Sequence, residues 1–210
     1  MNPNLLEAAK FQKVEASEDQ ILILNGVTWQ QYEAFLDIIG DNFPGLHITY
    51  LEGTLQFMSP GRKHELTKKI IARLLEAYLD ETRARHYPLG STTFRKAAVA
   101  RGIEPDECYC IGSDKEFPDL AIEVVVTSGG VDSLKVYQGL GVSEVWFWED
   151  EQLLLYQLRG ETYLPITTSN LLPNLDIKLL VSYIKSSESS DAVWEFREKN
   201  RQQISSRIDN

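Results

Sequence analysis

The sequence predicts a mixed fold of the α/β (α+β) class, with helices packed against a sheet of parallel and antiparallel strands. Segments of helical periodicity alternate along the chain with short runs of β-branched and aromatic residues, which favour strands. Hydrophobic residues make up 43% of the 210 residues, enough for a substantial core. No internal repeat or long Pro/Gly linker divides the chain. We therefore expect a single domain over residues 1–210, with its core at about 28–183 and a partly helical tail at 185–210.

The first helix is predicted to begin at Thr28, because Gln31 follows three residues later, as in a capping box. The segment GDNFPG, residues 40–45, is expected to end it. One face of this helix is apolar and contains Trp29, Tyr32, Phe35, Leu36 and Ile39.

Three further helical segments are predicted. A long helix follows Ser59-Pro60, a pair that suits a helix start, and a shorter one around 133–140 ends at Gly141. The tail contains a third segment with a shared apolar face. The residues expected to be buried are Leu66, Ile70, Ile71, Leu74, Leu75 and Tyr78 in the long helix and Leu179, Leu180, Tyr183 and Ile184 in the tail.

Strands are predicted between these helices. LHITYLEGTLQFM has two alternating arms and reads as a hairpin with its turn near Glu52-Gly53. STTFRKAAVARGIEPDECYCIG predicts a strand, a turn and a second strand. LAIEVVV is apolar on both faces, which is typical of a central strand. SEVWFWEDEQLLLYQLRGETYLPI alternates with polar turns and predicts a meander.

Composition and charge exclude several classes of function. The formal net charge of −10 argues against a broad basic surface for nucleic acid, but it leaves room for a local basic groove or a metal site. Cys108 and Cys110 are expected to be reduced thiols, because a disulfide at this spacing is strained and three scattered His residues make a poor zinc site. The N-terminus lacks the pattern of a signal peptide, and no apolar run approaches about 18 residues. We expect a cytoplasmic protein.

A carboxylate in the predicted central strand requires an explanation. Glu123 lies within LAIEVVV, where a buried charge is costly unless a positive partner holds it. A divalent cation is one such partner, and Asp106 at the start of the preceding strand could reach the same ion. Two acids, Mg²⁺ and a water molecule form a site suited to phosphodiester hydrolysis. The alternative is that Asp106 is a loop acid and that Glu123 pairs with a Lys or Arg.

Four blocks of sequence in a fixed order resemble a known family. They are ITYLEGTLQFMSPGRKHE, GIEPDECYCIG, FPDLAIEVVVTSGG and LKVYQGLGVSEVWFWE. Together they resemble the family named "putative restriction endonuclease", within the PD-(D/E)xK nuclease superfamily, over about residues 28–183. The resemblance implies a restriction endonuclease-like fold, with a mixed central sheet flanked by helices and an N-terminal helix and hairpin. It also implies Mg²⁺- or Mn²⁺-dependent hydrolysis of DNA that leaves a 5′-phosphate.

The resemblance also implies which residues form the site. Asp106 and Glu123 would bind the metal, and the main-chain carbonyl of Val124 would be a further ligand. A third acid would come from Glu52 or Glu65. The alternative is that Glu52 is a hairpin-turn acid and Glu65 a solvated helix residue. Residues at the start of the long helix are further candidates. His64 would touch a phosphate or orient an acid, or be a surface histidine, and Arg62 and Lys63 beside it would form a small basic patch.

The lysine of the superfamily pattern is missing from its usual positions. The position two residues after Glu123 is Val125, and the position that the family uses in the next helix is Ser133. Lys135 lies two residues further on, where a helix turns a side chain by about 200°. Lys135 would therefore either reach the site and stabilise charge on the phosphate or be a solvated lysine.

Other aromatic residues, Tyr137, Trp146, Phe147 and Trp148, are expected to pack in the core, with stacking on unpaired bases as the alternative. The leading hypothesis is thus a metal-dependent endonuclease that uses Asp106, Glu123, Lys135, Glu52 and His64 and acts on DNA, with a homodimer placing two sites for two strands. The second hypothesis is a catalytically weak or inactive protein of the same fold that serves as a nucleic-acid-binding or interaction module.

Overall fold

The computed structural model describes residues 18–39, 42, 43, 45–126, 130–185 and 189–208. Its fold is mixed α+β, as the sequence predicts, but the strands form two sheets. The helices are α1 (Trp29–Ile39), α2 (Arg62–Glu81), α3 (Ser133–Leu140), α4 (Ile177–Ile184) and α5 (Ser189–Ile208). The strands are β1 (Gln20–Asn25), β2 (His47–Leu51), β3 (Thr54–Ser59), β4 (His86–Pro88), β5 (Phe94–Lys96), β6 (Arg101–Ile103), β7 (Glu107–Ile111), β8 (Leu120–Val125), β9 (Glu144–Glu149), β10 (Gln152–Arg159) and β11 (Thr162–Ile166).

The first sheet has five strands in the order β1-β3-β2-β6-β5, all paired antiparallel. It contains the predicted hairpin, whose turn residues Glu52 and Gly53 both have positive φ, 45° and 95°. That pair of left-handed residues gives the tight turn that a two-residue hairpin needs. Helix α1 packs on this sheet, and its predicted capping box is present: Thr28 N–H donates to Gln31 Oε1 at 2.8 Å and Gln31 N–H donates to Thr28 Oγ1 at 3.3 Å.

The second sheet has six strands in the order β11-β10-β9-β8-β7-β4 and corresponds to the predicted mixed central sheet. Among its described strands only β8 and β9 are parallel, and α3 forms the crossover between them. The prediction that LAIEVVV is a central strand is therefore confirmed, because β8 lies between β9 and β7. Helix α3 begins and ends where the sequence predicts, and Gly141 caps it with a φ of 81°.

Helices connect and cover the sheets. Helix α3 contacts β2, β5 and β6 of the first sheet and β11 of the second, so it packs between the two. Helix α2 contacts β8 and also packs against α4 and α5. The largest buried cluster joins α2 and the second sheet and includes Ile71, Leu74, Leu75, Trp146 and Phe196. Among the described residues, no helix is both long and apolar enough to cross a membrane.

One predicted core residue is exposed. Leu66 of α2 is 60% exposed, although the other residues of its predicted face are buried. The reason is that His64 and Lys68 occupy the buried side of α2 at this end. A residue two positions from each of them points to the opposite side of the helix, because two residues turn it by about 200°. The buried face of α2 is thus polar where the helix begins.

Other differences concern elements that the sequence did not indicate. Strands β1 and β4 were not predicted, and the tail expected to be partly helical at 185–210 contains a helix of 20 residues, Ser189–Ile208. Both cysteines are free and buried, as expected for reduced thiols, and burial raises the pKa of each thiol.

Candidate active site

The pairing of β7 with β8 places Asp106 beside Glu123. The two strands are antiparallel, with Glu107 opposite Ile122 and Cys108 opposite Ala121. One more step in the same register sets Asp106 opposite Glu123, on the same side of the sheet, because directly opposed residues share a face. In addition, the N–H of Val124 donates to Asp106 Oδ2 at 2.7 Å. The structure therefore brings these two acids together from positions 17 residues apart in sequence.

Asp106 is buried and both of its carboxylate oxygens are held. Its Oδ2 accepts the N–H of Val124, and its Oδ1 lies 2.8 Å from Nε2 of His64. His47 Nδ1 is 3.6 Å from the same Oδ1, too far for a hydrogen bond, and has no hydrogen-bond partner in the described part of the chain. The orientation of the Asp106 carboxylate is therefore set by a main-chain amide and one imidazole.

His64 lies between two carboxylates. Its side chain has no exposed surface, and its Nδ1 is 3.1 Å from Oδ2 of Asp19. Burial alone would lower the pKa of the imidazole, but the hydrogen bonds and charges of Asp106 and Asp19 outweigh burial and raise that pKa to about 9. His64 is consequently an imidazolium at neutral pH, and it compensates the charge of Asp106.

Glu123 has a different environment from Asp106. It lies in the wall of an open cleft, and among the described residues the hydroxyl of Tyr137 donates to its Oε1. Burial of the carboxyl group, and then the nearby charge of Asp106, raise its pKa well above the ordinary range. Two neighbouring carboxyl groups repel each other when both are ionised, so a bound cation would favour the ionised form of Glu123.

The cleft beside Glu123 is acidic. Its volume is about 320 Å³, and Asp19, Glu123, Asp132 and Glu149 all contribute to its lining. Neither Lys nor Arg is found among the described residues that line it. Gln56 and Tyr156 supply neutral polar groups, and Gln56 Oε1 accepts the N–H of Val131 at 2.7 Å. An anion such as a phosphate would be repelled from this cleft unless a cation accompanied it.

A second group of charges lies near Asp106. Lys68 is only 6% exposed, and its Nζ lies 2.7 Å from Glu65 Oε1. Glu104 lies near the charges of both Lys68 and Asp106. Burial raises the pKa of Glu104 to about 7, the charge of Lys68 opposes that rise, and the charge of Asp106 adds to it. Glu65 is thus engaged by a lysine on its own helix, and Glu104 is a titratable acid beside the site.

Neither Lys135 nor Glu52 is among the described residues that line the cleft, although Lys135 pairs with Asp132, which does. Lys135 is 66% exposed in its side chain and pairs with Asp132 at 3.3 Å, while Ser133 and Leu134 line the cleft. The shift of two residues along α3 turns Lys135 away. Glu52 is in the hairpin turn, where its Oε1 accepts from Arg101 at 2.9 Å, and it lies outside the cleft lining. The structure does not bring either residue to Asp106 and Glu123.

A comparison with known protein families accords with this fold. A family model described as "Uma2: Putative restriction endonuclease" matches residues 29–184. The chain belongs to the Uma2 family. No curated protein matches the sequence. Membership of the Uma2 family confirms the resemblance seen in the sequence and indicates a nuclease-like function.

The donor set of this Uma2 protein suits a hard divalent cation only in part. Among the described residues, no three His, Cys, Asp or Glu side chains are arranged to hold a metal ion. Asp106 and Glu123 supply carboxylate oxygens, and each oxygen of Asp106 that accepts one hydrogen bond retains a second lone pair. Mg²⁺ often binds through one or two carboxylates and completes its shell with water and substrate oxygens. The two acids therefore fit such an ion, with Val124 O as the predicted third protein ligand.

Three residues of the site were missed in the sequence. Asp19 precedes an unpredicted strand, His47 begins a hairpin arm, and Tyr137 was expected to pack in the core. Tyr137 is indeed fully buried, and its hydroxyl also donates a hydrogen bond to Glu123. A buried Tyr requires a partner for its hydroxyl, and that requirement was the available signal. The sequence carried no signal that joins Asp19 to His64.

Proposed function

We propose that this protein is a divalent-metal-dependent endonuclease that hydrolyses phosphodiester bonds of DNA, with Asp106 and Glu123 as the protein ligands of Mg²⁺ or Mn²⁺. The observation that carries the proposal is the proximity of two acids. Asp106, immediately before β7, accepts the N–H of Val124 next to Glu123 on β8, and Glu123 lies in the wall of a cleft without a basic side chain in its described lining. Membership of the Uma2 family supports the reaction type and the substrate.

The protein residues around the pair have separate tasks in this proposal. His64 and the N–H of Val124 orient Asp106, and the hydroxyl of Tyr137 orients Glu123. A bound divalent cation would supply the positive charge that offsets the phosphate and lowers the pKa of an attacking water. Because the cleft is acidic, we expect DNA to bind weakly unless the metal is present.

Plasmid cleavage tests the proposal. The purified protein is incubated with supercoiled plasmid and Mn²⁺, beside Asp106→Asn and a control variant, Asp119→Asn. Asp119 also accepts a main-chain N–H, from Ile111 at 2.7 Å, but lies outside the cleft lining. Nicking by the wild type and the control, lost in Asp106→Asn and in EDTA, supports the proposal. Absence of nicking with both Mg²⁺ and Mn²⁺ contradicts it.

A second candidate function is a nucleic-acid-binding or interaction module of the same fold with weak or no catalysis. One observation favours it: Ser133 lines the cleft at the position where the family usually has lysine, and Lys135 is turned to solvent. DNA retention in a gel-shift assay without any metal-dependent nicking would support this module over the enzyme.

We also propose that the chain forms a homodimer through the edge of β1. In the described part of the chain β1 pairs with β3 alone, and its sequence QILILN has no charge. Leu22 is 56% exposed and Ile23 is 37% exposed at the centre of the strand. An apolar groove of about 840 Å³ lies beside it, lined in part by Phe43 and Phe57. An uncharged apolar edge of this kind is suited to pairing with another strand.

A second copy is the occupant that suits this edge. Two β1 strands that pair antiparallel about a two-fold axis would oppose apolar residues with apolar residues and Gln20 with Asn25, so the strand is self-complementary. Sedimentation velocity over a range of protein concentrations tests the dimer, with Leu22→Lys expected to dissociate it and the surface change Leu66→Lys as the control. A monomer at every concentration contradicts it.

A further inference from the structure

We infer that Asp19 is a positioning residue for Asp106 and acts on it through His64. The inference rests on the proposed function, because it assigns Asp19 to the site that would hold the metal. Asp19 lies before residues 29–184, so the family match does not assign it. Nothing in its local sequence, an irregular acidic segment, marks it as part of the site.

Strand pairing brings Asp19 to the site. Gln20, the first residue of β1, pairs with Ser59, the last residue of β3, and α2 begins three residues later. Asp19 therefore lies next to the start of α2, where its Oδ1 accepts the N–H of Gly61 at 2.9 Å. The side chain is 4% exposed, and its second oxygen, Oδ2, contacts His64 Nδ1 at 3.1 Å.

The contact of Asp19 determines the orientation of the imidazole. His64 has no exposed surface, and each of its ring nitrogens meets one carboxylate oxygen, Asp19 on one side and Asp106 on the other. Without Asp19, one ring nitrogen would be buried without its acceptor, and the ring could turn to recover one. Such a rotation of the ring would break the hydrogen bond to Oδ1 of Asp106. The N–H of Val124 would then be the remaining described hydrogen-bond donor to the Asp106 carboxylate.

Two effects of Asp19 must be separated, because it also satisfies the N–H of Gly61. Gly61 is the N-cap of α2 and has no side chain with which to cap the helix. Asp19→Ser retains one oxygen for the Gly61 N–H but has none for His64. Asp19→Asn has an oxygen for Gly61, and its amide can donate to His64 Nδ1 once the ring is neutral, while Nε2–H still donates to Asp106. The ring then loses its charge but keeps a partner on each side. Asp119→Ser is the matched control, because Asp119 likewise accepts a main-chain N–H, outside the cleft.

The first measurement is Mn²⁺ binding by calorimetry in the absence of DNA. Partners that orient a metal ligand typically change affinity by about 10- to 100-fold when removed. We expect Asp19→Ser to weaken Mn²⁺ binding by about 10-fold or more, and Asp19→Asn and Asp119→Ser to stay within about 3-fold of the wild type. A folded Asp19→Ser variant with unchanged affinity overturns the inference. So does an Asp19→Ser chain that fails to fold while Asp19→Asn folds, because Asp19 would then serve folding.

The second measurement does not depend on metal and separates the inference from the proposed function. In ¹⁵N-histidine-labelled protein, the Nε2–H proton of His64 should exchange slowly with water, because it is buried and bonded to Asp106. We expect that resonance in the wild type, Asp19→Asn and Asp119→Ser and its loss in Asp19→Ser. If the wild type binds no Mn²⁺, the proposed function fails, and this resonance alone decides the role of Asp19. Its persistence in Asp19→Ser overturns that role.

Discussion

Two glutamates on neighbouring strands of the six-stranded sheet have opposite environments. Glu144, at the start of β9, has no exposed surface and accepts hydrogen bonds from four donors among the described residues: Trp146 Nε1, Ser169 Oγ, Asn170 N–H and Leu171 N–H. Glu123, on β8, has Tyr137 as its described donor, a second carboxylate opposite it, and an open cleft beside it.

The contrast shows how a structural carboxylate differs from one that can take a ligand. Glu144 connects the loop around residues 169–171 to the sheet by hydrogen bonds, and its donors occupy the lone pairs of its two oxygens. Glu123 is short of donors and lies next to a like charge, so its surroundings favour protonation or a cation. The local sequence does not distinguish Glu123 from Glu144, since both glutamates lie in strands of mostly apolar residues.

The largest expected effect comes from replacing Glu123 by Gln. This change removes a proposed metal ligand, whose loss is worth several kcal/mol in phosphodiester hydrolysis, so we expect Mn²⁺-dependent nicking to fall by about 100-fold or more. Because the neutral amide does not repel Asp106, the melting temperature should stay the same or rise. Comparable nicking by the variant and the wild type would show that Glu123 resembles Glu144 in being structural.

The charge of His64 predicts a dependence of stability on pH. Its pKa is raised from 6.5 to about 9 in the folded protein, so its stabilisation is complete below pH 6.5 and is lost as the pH rises through about 9. The loss should approach about 3 kcal/mol in the free energy of unfolding. Urea titrations in EDTA at a series of pH values measure it, and His64→Gln should flatten the curve in this window. An equally steep curve in that variant would assign the dependence to other groups.

A moderate effect on stability is expected for Glu144→Gln. The amide group places two hydrogens where the protein presents donors, and one or two buried donors lose their acceptor, so we expect the free energy of unfolding to fall by about 2 kcal/mol. Nicking per folded molecule should not change. Denaturant unfolding of this variant beside Glu123→Gln sharpens the comparison, since stability should fall in the first and activity in the second.

The smallest effect is expected for Lys135→Ala. The Lys135 side chain is 66% exposed and pairs with Asp132 on the surface, and an exposed pair of this kind contributes little. We expect less than about a twofold change in nicking rate and a stability change within about 0.5 kcal/mol. A large drop in rate at unchanged melting temperature would show that the lysine reaches the site when DNA is bound.

Local patterns predicted most of the elements correctly. The Thr28–Gln31 capping box, the turn at Glu52-Gly53 and the helix that ends at Gly141 follow from interactions within a few residues. The central position of β8 follows from a strand that is apolar on both faces. The exceptions depended on distant partners. Leu66 was expected to be buried, but His64 and Lys68 lie on the buried side of α2. His64 contacts Asp19 and Asp106 there, and Lys68 lies near the charge of Glu104.

The sequence by itself determined most of the elements and the family. It also predicted that Asp106 and Glu123 could lie close together, because consecutive strands usually pair or lie next to each other. The tertiary structure alone decided the rest. It decided that Asp19 contacts His64, that the hydroxyl of Tyr137 donates a hydrogen bond to Glu123, and that Lys135 faces solvent. The physical reason is that these contacts join separate sheets and helices, and their geometry is set by the packing of the whole core.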